Sequence, residues 1–381
     1  MRVLWICGLP EDVRLNGCNK LLSANKQPAW SWILGHMPPE GVELHILCPI
    51  GDLAMSRADF EYLGAHWHCF RRERIRHIFA YLRFVFGIKR FVRELRPDVI
   101  HGWGGETGFG YMAVRLSRNA IVSVQGLLML YNALSGKFKQ KMSSMIGRYV
   151  MWRERETYRR AAVLVNESET ARSALKGFYS KAGVVVPQPL RTAFYKDVVI
   201  KRLNVPTFVF VGTLTSRKGA VDVVKAFSMI RDPSAKLIML GDGDARREIE
   251  ELIGSLRLSG RIILKGACSA DEVAESMRRA HFFALPSYAD TGPNALKEAL
   301  ASGLFPICYD NSGPHEYLTR YCGYLCRTGD IEAYAVSMKR AISNLDECMR
   351  KACEAAVQIK SDLSKSTVWK SLLTVYEGVI K

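Results

Sequence analysis

No apolar run in this chain reaches bilayer-spanning length without charges, so a transmembrane segment is excluded on the sequence. The first residues, MRVLWICGLPEDV, carry a short apolar stretch before Gly8, too short for the apolar region of a secretion signal. Low-complexity tracts are missing as well. With 48% hydrophobic and 24% charged residues, the 381-residue composition is that of a globular protein of two ordinary domains. Its ten cysteines form no compact framework. Cys7, Cys48 and Cys308 sit in apolar runs and are read as small buried hydrophobes of a reducing compartment. Cys322, Cys326, Cys348 and Cys353 lack the second CxxC or the histidine pair that a zinc site needs. Aromatic RNA-reading motifs are also absent, which argues against nucleic acid as partner.

Acidic residues are in deficit: 54 Lys and Arg face 37 Asp and Glu, a net charge of +17. The imbalance is local. Residues 1–200 carry a net +13 and residues 201–381 only +4. Two stretches, 71–96 and 136–160, account for the whole excess of the first half. Both place apolar residues at helical spacing, for example Ile75, Ile78, Phe79, Leu82, Val85 and Phe86. Such a helix can lie on an anionic membrane with its basic residues at headgroup level. It can equally pack its apolar side on a sheet and leave a basic face in water.

Along the chain, short apolar runs alternate with helical patterns. Strands are expected at Val3–Cys7, Leu44–Cys48, Val99–Ile100, Ile121–Val124 and Ala162–Asn166, with helices near 28–37, 75–95, 106–117 and 140–160. A second series places strands at Phe208–Val211, Lys236–Leu240, Arg261–Lys265, Phe282–Leu285 and Phe305–Cys308. Its helices fall near 219–230, 244–256, 270–279, 293–302 and 331–344. This order predicts an α/β protein: two Rossmann-like, doubly wound parallel-sheet domains facing a cleft. The first is expected over 1–190 and the second over 191–363. The segment from Val184 through Pro187 and Pro189 should connect them, and a helix over 364–381 should pack back on the first domain.

The stretch PSYADTGPNALKEALASG, residues 286–303, is the most informative. A strand breaks at Pro286, a polar loop follows, Pro293 suits a first helical turn, and Gly303 suits the stop. Strand, loop, helix is how an open parallel sheet offers N–H groups and a positive helix end to an anion. Asp290 and Glu298 add two carboxylates that accept hydroxyl hydrogen bonds, so the combination describes a nucleotide-sugar site. In the stretch from Phe210 to Gly219, a strand ends at Gly212 and Lys218-Gly219 opens a helix, where Lys218, assisted by Arg217, can neutralise a diphosphate. The Gly-Asp-Gly turn at 241–243 reads as a tight turn rather than a phosphate binder. In the first half, His101 and Gln125 stand at the carboxyl ends of strands. His101 is a candidate base or acceptor ligand, or else a structural histidine. The loop Gly8–Gly17 is placed to meet phosphates or acceptor, with Gly17 as its binding candidate.

These residues resemble the retaining nucleotide-sugar glycosyltransferases of the two-Rossmann (GT-B) architecture, specifically glycosyltransferase family four. The resemblance covers nearly the whole chain and is strongest over 206–318. The family's Gly-Arg-Leu…Lys-Gly loop is matched by Gly212-Thr-Leu…Lys218-Gly219, its Glu-x7-Glu by Asp290-x7-Glu298, and its Gly-Gly-x-x-Glu by Ser312-Gly-Pro-His-Glu316. The resemblance implies that Lys218 binds the donor diphosphate, Asp290 holds sugar hydroxyls and Glu298 holds the ribose. It puts the backbone at Gly292, Asn294 and Ala295 against sugar and phosphates, and Lys265 and Gly266 near the base. Three positions depart from the pattern. Thr213 replaces a phosphate-binding Arg, leaving that task to Arg217 or another cation; Asp290 is shorter by a methylene; Gln125 replaces a frequent His.

The implied reaction moves a sugar from a UDP- or GDP-sugar to an acceptor hydroxyl with retention, and requires no metal cofactor. The basic half suggests a lipid-linked glycan acceptor at the inner face of the cell membrane, as in O-antigen or capsule assembly. Two rivals remain. A nucleotide-sugar epimerase of the same architecture would convert the donor without acceptor. A non-catalytic basic nucleic-acid-binding protein would show steep salt dependence and no response to nucleoside diphosphates. Replacing Glu298 by Ala is expected to abolish transfer and leave the fold intact.

Overall fold

A computed structural model describes residues 1–8, 33, 38–50, 56–72, 78–125, 144–176, 183–196 and 202–380. The chain divides into two compact units, Met1–Pro189 with Lys365–Lys381, and Leu190–Ser364. The expected helix at 28–37 and nearly all of the loop Gly8–Gly17 lie outside the described residues.

In unit 1 the strands are β1 (Arg2–Ile6), β2 (Glu43–Ile50), β3 (Arg57–Tyr62), β4 (Ala65–Arg71), β5 (Val99–Trp103), β6 (Ile121–Val124), β7 (Val163–Asn166) and β8 (Val184–Val185). They lie side by side in the order β3-β4-β2-β1-β5-β6-β7-β8. Every described pairing is parallel except β3 with β4. Period-2 alternation divides the apolar side chains between two faces. Leu4 and Ile6 pack under α1 (Ile78–Leu95), α2 (Phe109–Leu116) and α3 (Met145–Arg160), in a cluster with Phe91, Ala113 and Tyr158. Val3, Trp5 and Cys7 face the other way and meet Val368, Trp369, Leu372 and Tyr376. Those four recur at helical spacing on α12 (Lys365–Ile380), so the final helix completes the core of unit 1. Trp5 stacks on Trp369 at 5.4 Å, and cutting either ring to Ala would cost roughly 3–5 kcal/mol.

The expected parallel sheet acquires an antiparallel edge here that the strand patterns did not show. β3 and β4 form a hairpin closed by Leu63 and Gly64, both at positive φ (52° and 71°). Two-residue hairpin turns of this hand usually carry Asn-Gly; Leu-Gly hides the signal.

Unit 2 is built from β9 (Thr207–Val211), β10 (Lys236–Leu240), β11 (Ile262–Gly266), β12 (Phe282–Leu285), β13 (Phe305–Tyr309) and β14 (Tyr324–Cys326). Their order is β11-β10-β9-β12-β13-β14, every pairing parallel. The helices are α5 (Ala220–Ser228), α6 (Arg246–Ser255), α7 (Ala270–Arg279), α8 (Asn294–Ala301), α9 (Ser312–Arg320), α10 (Ile331–Ser343) and α11 (Leu345–Asp362). Strands buried on both faces read as continuous apolar runs such as FFAL, which is why this half was the easier to place. The order turns back between β9 and β12, the point where open α/β sheets take ligands beyond the carboxyl ends of their strands.

Candidate functional site

The exits of β9 and β12 are welded together by backbone. Gly219 follows a 3-10 turn, Ser216–Lys218, at φ +66°, and a Cβ there would lie 1.9 Å from the carbonyl oxygen of Pro286. Only glycine fits that approach. Tyr288 N donates to Arg217 O at 2.8 Å, and Arg217 Nη1 donates to Ala289 O at 3.0 Å. With the loops held this way, Lys218 Nζ forms an ion pair with Asp290 Oδ2, both side chains largely buried. On its other side the Asp290 loop rests on α9: Gly313 N donates to Asp290 O at 3.0 Å, where a Cβ on Gly313 would stand 2.4 Å away. The Ser312-Gly-Pro-His-Glu316 element thus seats the acid-bearing loop. Thr291, Gly292 and Pro293 are buried behind it, and α8 begins at Asn294 with no side-chain cap. Lys218, Asp290 and the start of α8, separated by up to 76 residues of sequence, share one edge of the sheet.

Glu298 departs from expectation. It is 3% exposed in its side chain, and both carboxylate oxygens accept from Arg191, at 2.5 Å from Nε and 2.7 Å from Nη2. Burial pushes the Glu298 carboxyl up while the guanidinium opposes the shift. A carboxylate inside the protein requires such a partner, and this bidentate fork is the geometry that suits it. Arg191 was not among the sequence candidates. It sits at the unit's first turn with its guanidinium carbon 5.1 Å from the centre of the Phe194 ring, and no motif announces it. The expectation that Glu298→Ala spares the fold meets a cost here: that change takes the bidentate partner away from Arg191.

The remaining donor candidates are spread along the same edge. Thr213 is exposed after β9. Gly212 N donates to Leu240 O at 3.0 Å, Leu214 N to Asp242 O at 3.0 Å, and Gly241 N to Gly266 O at 2.7 Å, so the 241–243 turn ties the three strand exits together. Lys265 turns away to Ser276 Oγ at 3.2 Å.

In unit 1, His101 takes the structural position among the readings the sequence left open. It is fully buried, its Nδ1 2.8 Å from Tyr376 Oη and its Nε2 2.8 Å from Ser123 Oγ, and burial drives its pKa down to about 3. A β5 residue facing α12 belongs to the core. Gln125, at the exit of β6, is only partly buried, and its Nε2 makes no hydrogen bond among the described residues. Glu106, after the glycine loop of β5, was passed over. Burial, with Glu154 and Glu167 nearby, pushes it up to about 7, and its Oε2 has no hydrogen-bond partner among the described residues. Gly17 lies outside the described residues.

The basic stretches differ from one another. On α1, Ile88 and Phe91 are buried and Phe86 is exposed. On α3 the first two turns expose Met145, Ile146, Tyr149 and Trp152, the last two stacked at 5.8 Å, beside exposed Arg148 and Arg155. No helix among the described residues is long and apolar enough to cross a membrane. Cys322, Cys326, Cys348 and Cys353 join no metal-binding group there either.

Two family descriptions match this chain: “Glycosyl transferase 4-like domain” over residues 27–190 and “Glycosyl transferases group 1” over residues 193–358. The chain belongs to the family-four-like GT-B glycosyltransferases. An uncharacterized glycosyltransferase of Methanocaldococcus jannaschii is 23% identical over 63% of this chain and 62% of its own length. A putative teichuronic acid biosynthesis glycosyltransferase of Bacillus subtilis is 29% identical over 38% of this chain and 36% of its own. The chain therefore spans less than two thirds of either relative. The Anabaena HepE structure in complex with UDP-glucose superposes with a TM-score of 0.72 at 14% identity, covering 99% of this chain and 100% of that one, a likeness of fold.

Proposed function

We propose that this protein is a retaining glycosyltransferase that moves a sugar from a nucleoside-diphosphate sugar to an acceptor hydroxyl. The observation that carries this reading is the Lys218–Asp290 pair beside the uncapped start of α8. As the diphosphate departs, negative charge grows on it while the sugar carbon becomes electron-poor. Lys218 has three N–H donors; with one on Asp290, the others serve the phosphates together with α8 amides. Asp290 in turn accepts from sugar hydroxyls. Each Glu298 oxygen keeps a lone pair that Arg191 does not use, and these accept from the ribose. Positive charge already at the leaving group means turnover is expected to need no added Mg²⁺. The acceptor hydroxyl attacks from the face the diphosphate leaves, giving retention; Gln125 is the unit 1 candidate for the acceptor. Gly292, Asn294 and Ala295 line the phosphates, and Lys265 and Gly266 remain assigned to the base edge.

The proposed acceptor is a lipid-linked glycan of cell-surface polysaccharide assembly, met at the inner face of the membrane. What supports it is the exposed Tyr149–Trp152 pair set among arginines on α3, an aromatic and basic combination suited to the headgroup layer. Nucleic acid is not an expected partner.

A thermal-shift panel of UDP, GDP, ADP and their sugars tests the donor reading, followed by product analysis with and without acceptor. Stabilisation by one diphosphate and transfer only with acceptor are expected. Isomer formation from the donor alone would instead establish the epimerase. Flotation on anionic but not neutral vesicles, weakened by Trp152→Ala, is expected for the membrane reading; equal recovery on both overturns it.

A further inference from the structure

Three histidines and three carboxylates that the donor and acceptor readings leave unused share one face of the unit 1 sheet. The parallel register of β2 and β4 sets His45 beside His66 and Leu47 beside His68. The antiparallel register of β3 and β4 sets Glu61 opposite His66 and Asp59 opposite His68. Since side chains alternate, Glu43 and His45, His66 and His68, and Asp59 and Glu61 all project the same way. His45 is 6% exposed. Its ring stacks on His66 at 4.9 Å and on His68 at 5.2 Å.

The hydrogen bonds form a chain whose protons can be counted. Glu43 Oε1 lies 2.9 Å from His45 Nε2, His45 Nδ1 lies 2.9 Å from His68 Nε2, and His68 Nδ1 lies 2.6 Å from Asp59 Oδ1. Three contacts need three protons, and two neutral imidazoles between two ionised carboxylates supply two. With His68 donating to Asp59 and His45 donating to His68, the His45 Nε2 lone pair faces a carboxylate oxygen at 2.9 Å. Two acceptors at that distance require something positive between them. The nearby arginines are committed elsewhere: Arg2 Nε donates to the other Glu43 oxygen at 2.9 Å, and Arg57 Nε pairs with Asp59 at 2.8 Å. His66 stands alongside. Its Nδ1 is 3.1 Å from Glu61 Oε1, which leaves Nε2 as the ring nitrogen Glu61 does not use. One ligand atom from each of Glu43, His45 and His66 lies within 4.8 Å of those of the other two.

We propose that Glu43, His45 and His66 bind a divalent transition-metal ion, with Zn²⁺ favoured by a two-histidine, one-carboxylate set. His68 with Asp59 orients the His45 ring, and Glu61 orients His66, as partners of metal-bound imidazoles do. Glu43 opens β2, at the end of the strand away from the carboxyl edge where α/β sheets place their chemistry. The ion therefore acts as a structural clasp joining the β3–β4 hairpin to β2, with water at its open position. This assignment stands apart from the glycosyl-transfer reading.

The test uses the full chain without an affinity tag, stripped with a chelator and titrated with Zn²⁺ by calorimetry at pH 7.5, with Co²⁺ absorption as a second readout. One equivalent of Zn²⁺ and a raised Tm are expected. Glu43 and His66 are about two-fifths exposed, so Glu43→Gln and His66→Asn should keep the fold and weaken binding at least tenfold. His68→Asn, a positioning change, should weaken it about 10- to 100-fold and shift the Co²⁺ bands at unchanged stoichiometry. His315→Asn, which alters a histidine paired with Asp310 in unit 2, should change nothing. Absence of stoichiometric uptake, leaving a proton as the occupant, overturns the proposal; so does undiminished affinity in His66→Asn or equal loss in His315→Asn.

Discussion

The carboxyl edges of the two sheets treat their ionisable groups in opposite ways. In unit 2 the acids are matched to cations before any ligand arrives: Asp290 to Lys218, Glu298 to Arg191. In unit 1 the histidine at that edge is consumed by the core, while Glu106 and Gln125 each keep a buried polar atom with no partner among the described residues. Pairing fixes side chains in place, which suits recognition of a constant diphosphate and ribose. Open hydrogen-bonding capacity is costly in the empty protein and is recovered only when something polar arrives. Under the proposed function, donor recognition would be preorganised and acceptor recognition completed by the acceptor.

The contrast can be broken first at Glu298. Glu298→Ala should destabilise unit 2 by about 3–5 kcal/mol, since it takes the bidentate carboxylate away from a mostly buried Arg191. The double change with Arg191→Ala should cost less than the sum of the single ones. Denaturant melts of the four proteins measure this, and strict additivity would mean the pair is not a unit. Next is Lys218→Ala, which unpairs the largely buried Asp290 and so should lower the Tm as well as kcat, the latter by roughly 10²- to 10³-fold. Gln125→Ala assayed in parallel should lose less; an equal loss would erase the distinction between the two edges.

The smallest effect sharpens the comparison through pH. Glu106 has its carboxyl raised from the ordinary value to about 7. Its proton is therefore held more tightly in the folded than the unfolded chain. The corresponding stability is fully present below about pH 4.5 and is lost as pH rises through 7. Glu106→Gln should then raise stability at pH 8 by on the order of 2 kcal/mol and leave it unchanged at pH 4. Thermal melts across that range decide it. His101 runs the other way: driven to about 3, it stays neutral inside while the unfolded chain takes a proton, so its contribution erodes as pH falls below about 6.5.

Much of unit 2 was legible because each parallel strand is a short apolar run and each exit is marked by Gly or Pro. Lys218 and Asp290 could be named from their strand–loop–helix settings, since loops after neighbouring strands share an edge; Gly313 entered only through the family resemblance. Arg191 was not legible. Its partner lies 107 positions away, and an arginine before a short turn looks like any surface arginine. His101 misled because a histidine at a strand's end has the same appearance whether it faces a ligand or, as here, Tyr376 from the far end of the chain.

The order of residues alone determined the alternation of strands and helices, the doubling of the sheet and the glycine- and proline-marked loops at the strand exits. These follow from periodicities of two and 3.6 and from what glycine and proline allow locally. Register and packing decided the rest. Whether His45 meets His66, whether Glu298 faces solvent or Arg191, and which face of β5 the last helix covers depend on contacts between distant segments, and a one-residue slip in pairing would turn each of those side chains to the opposite face.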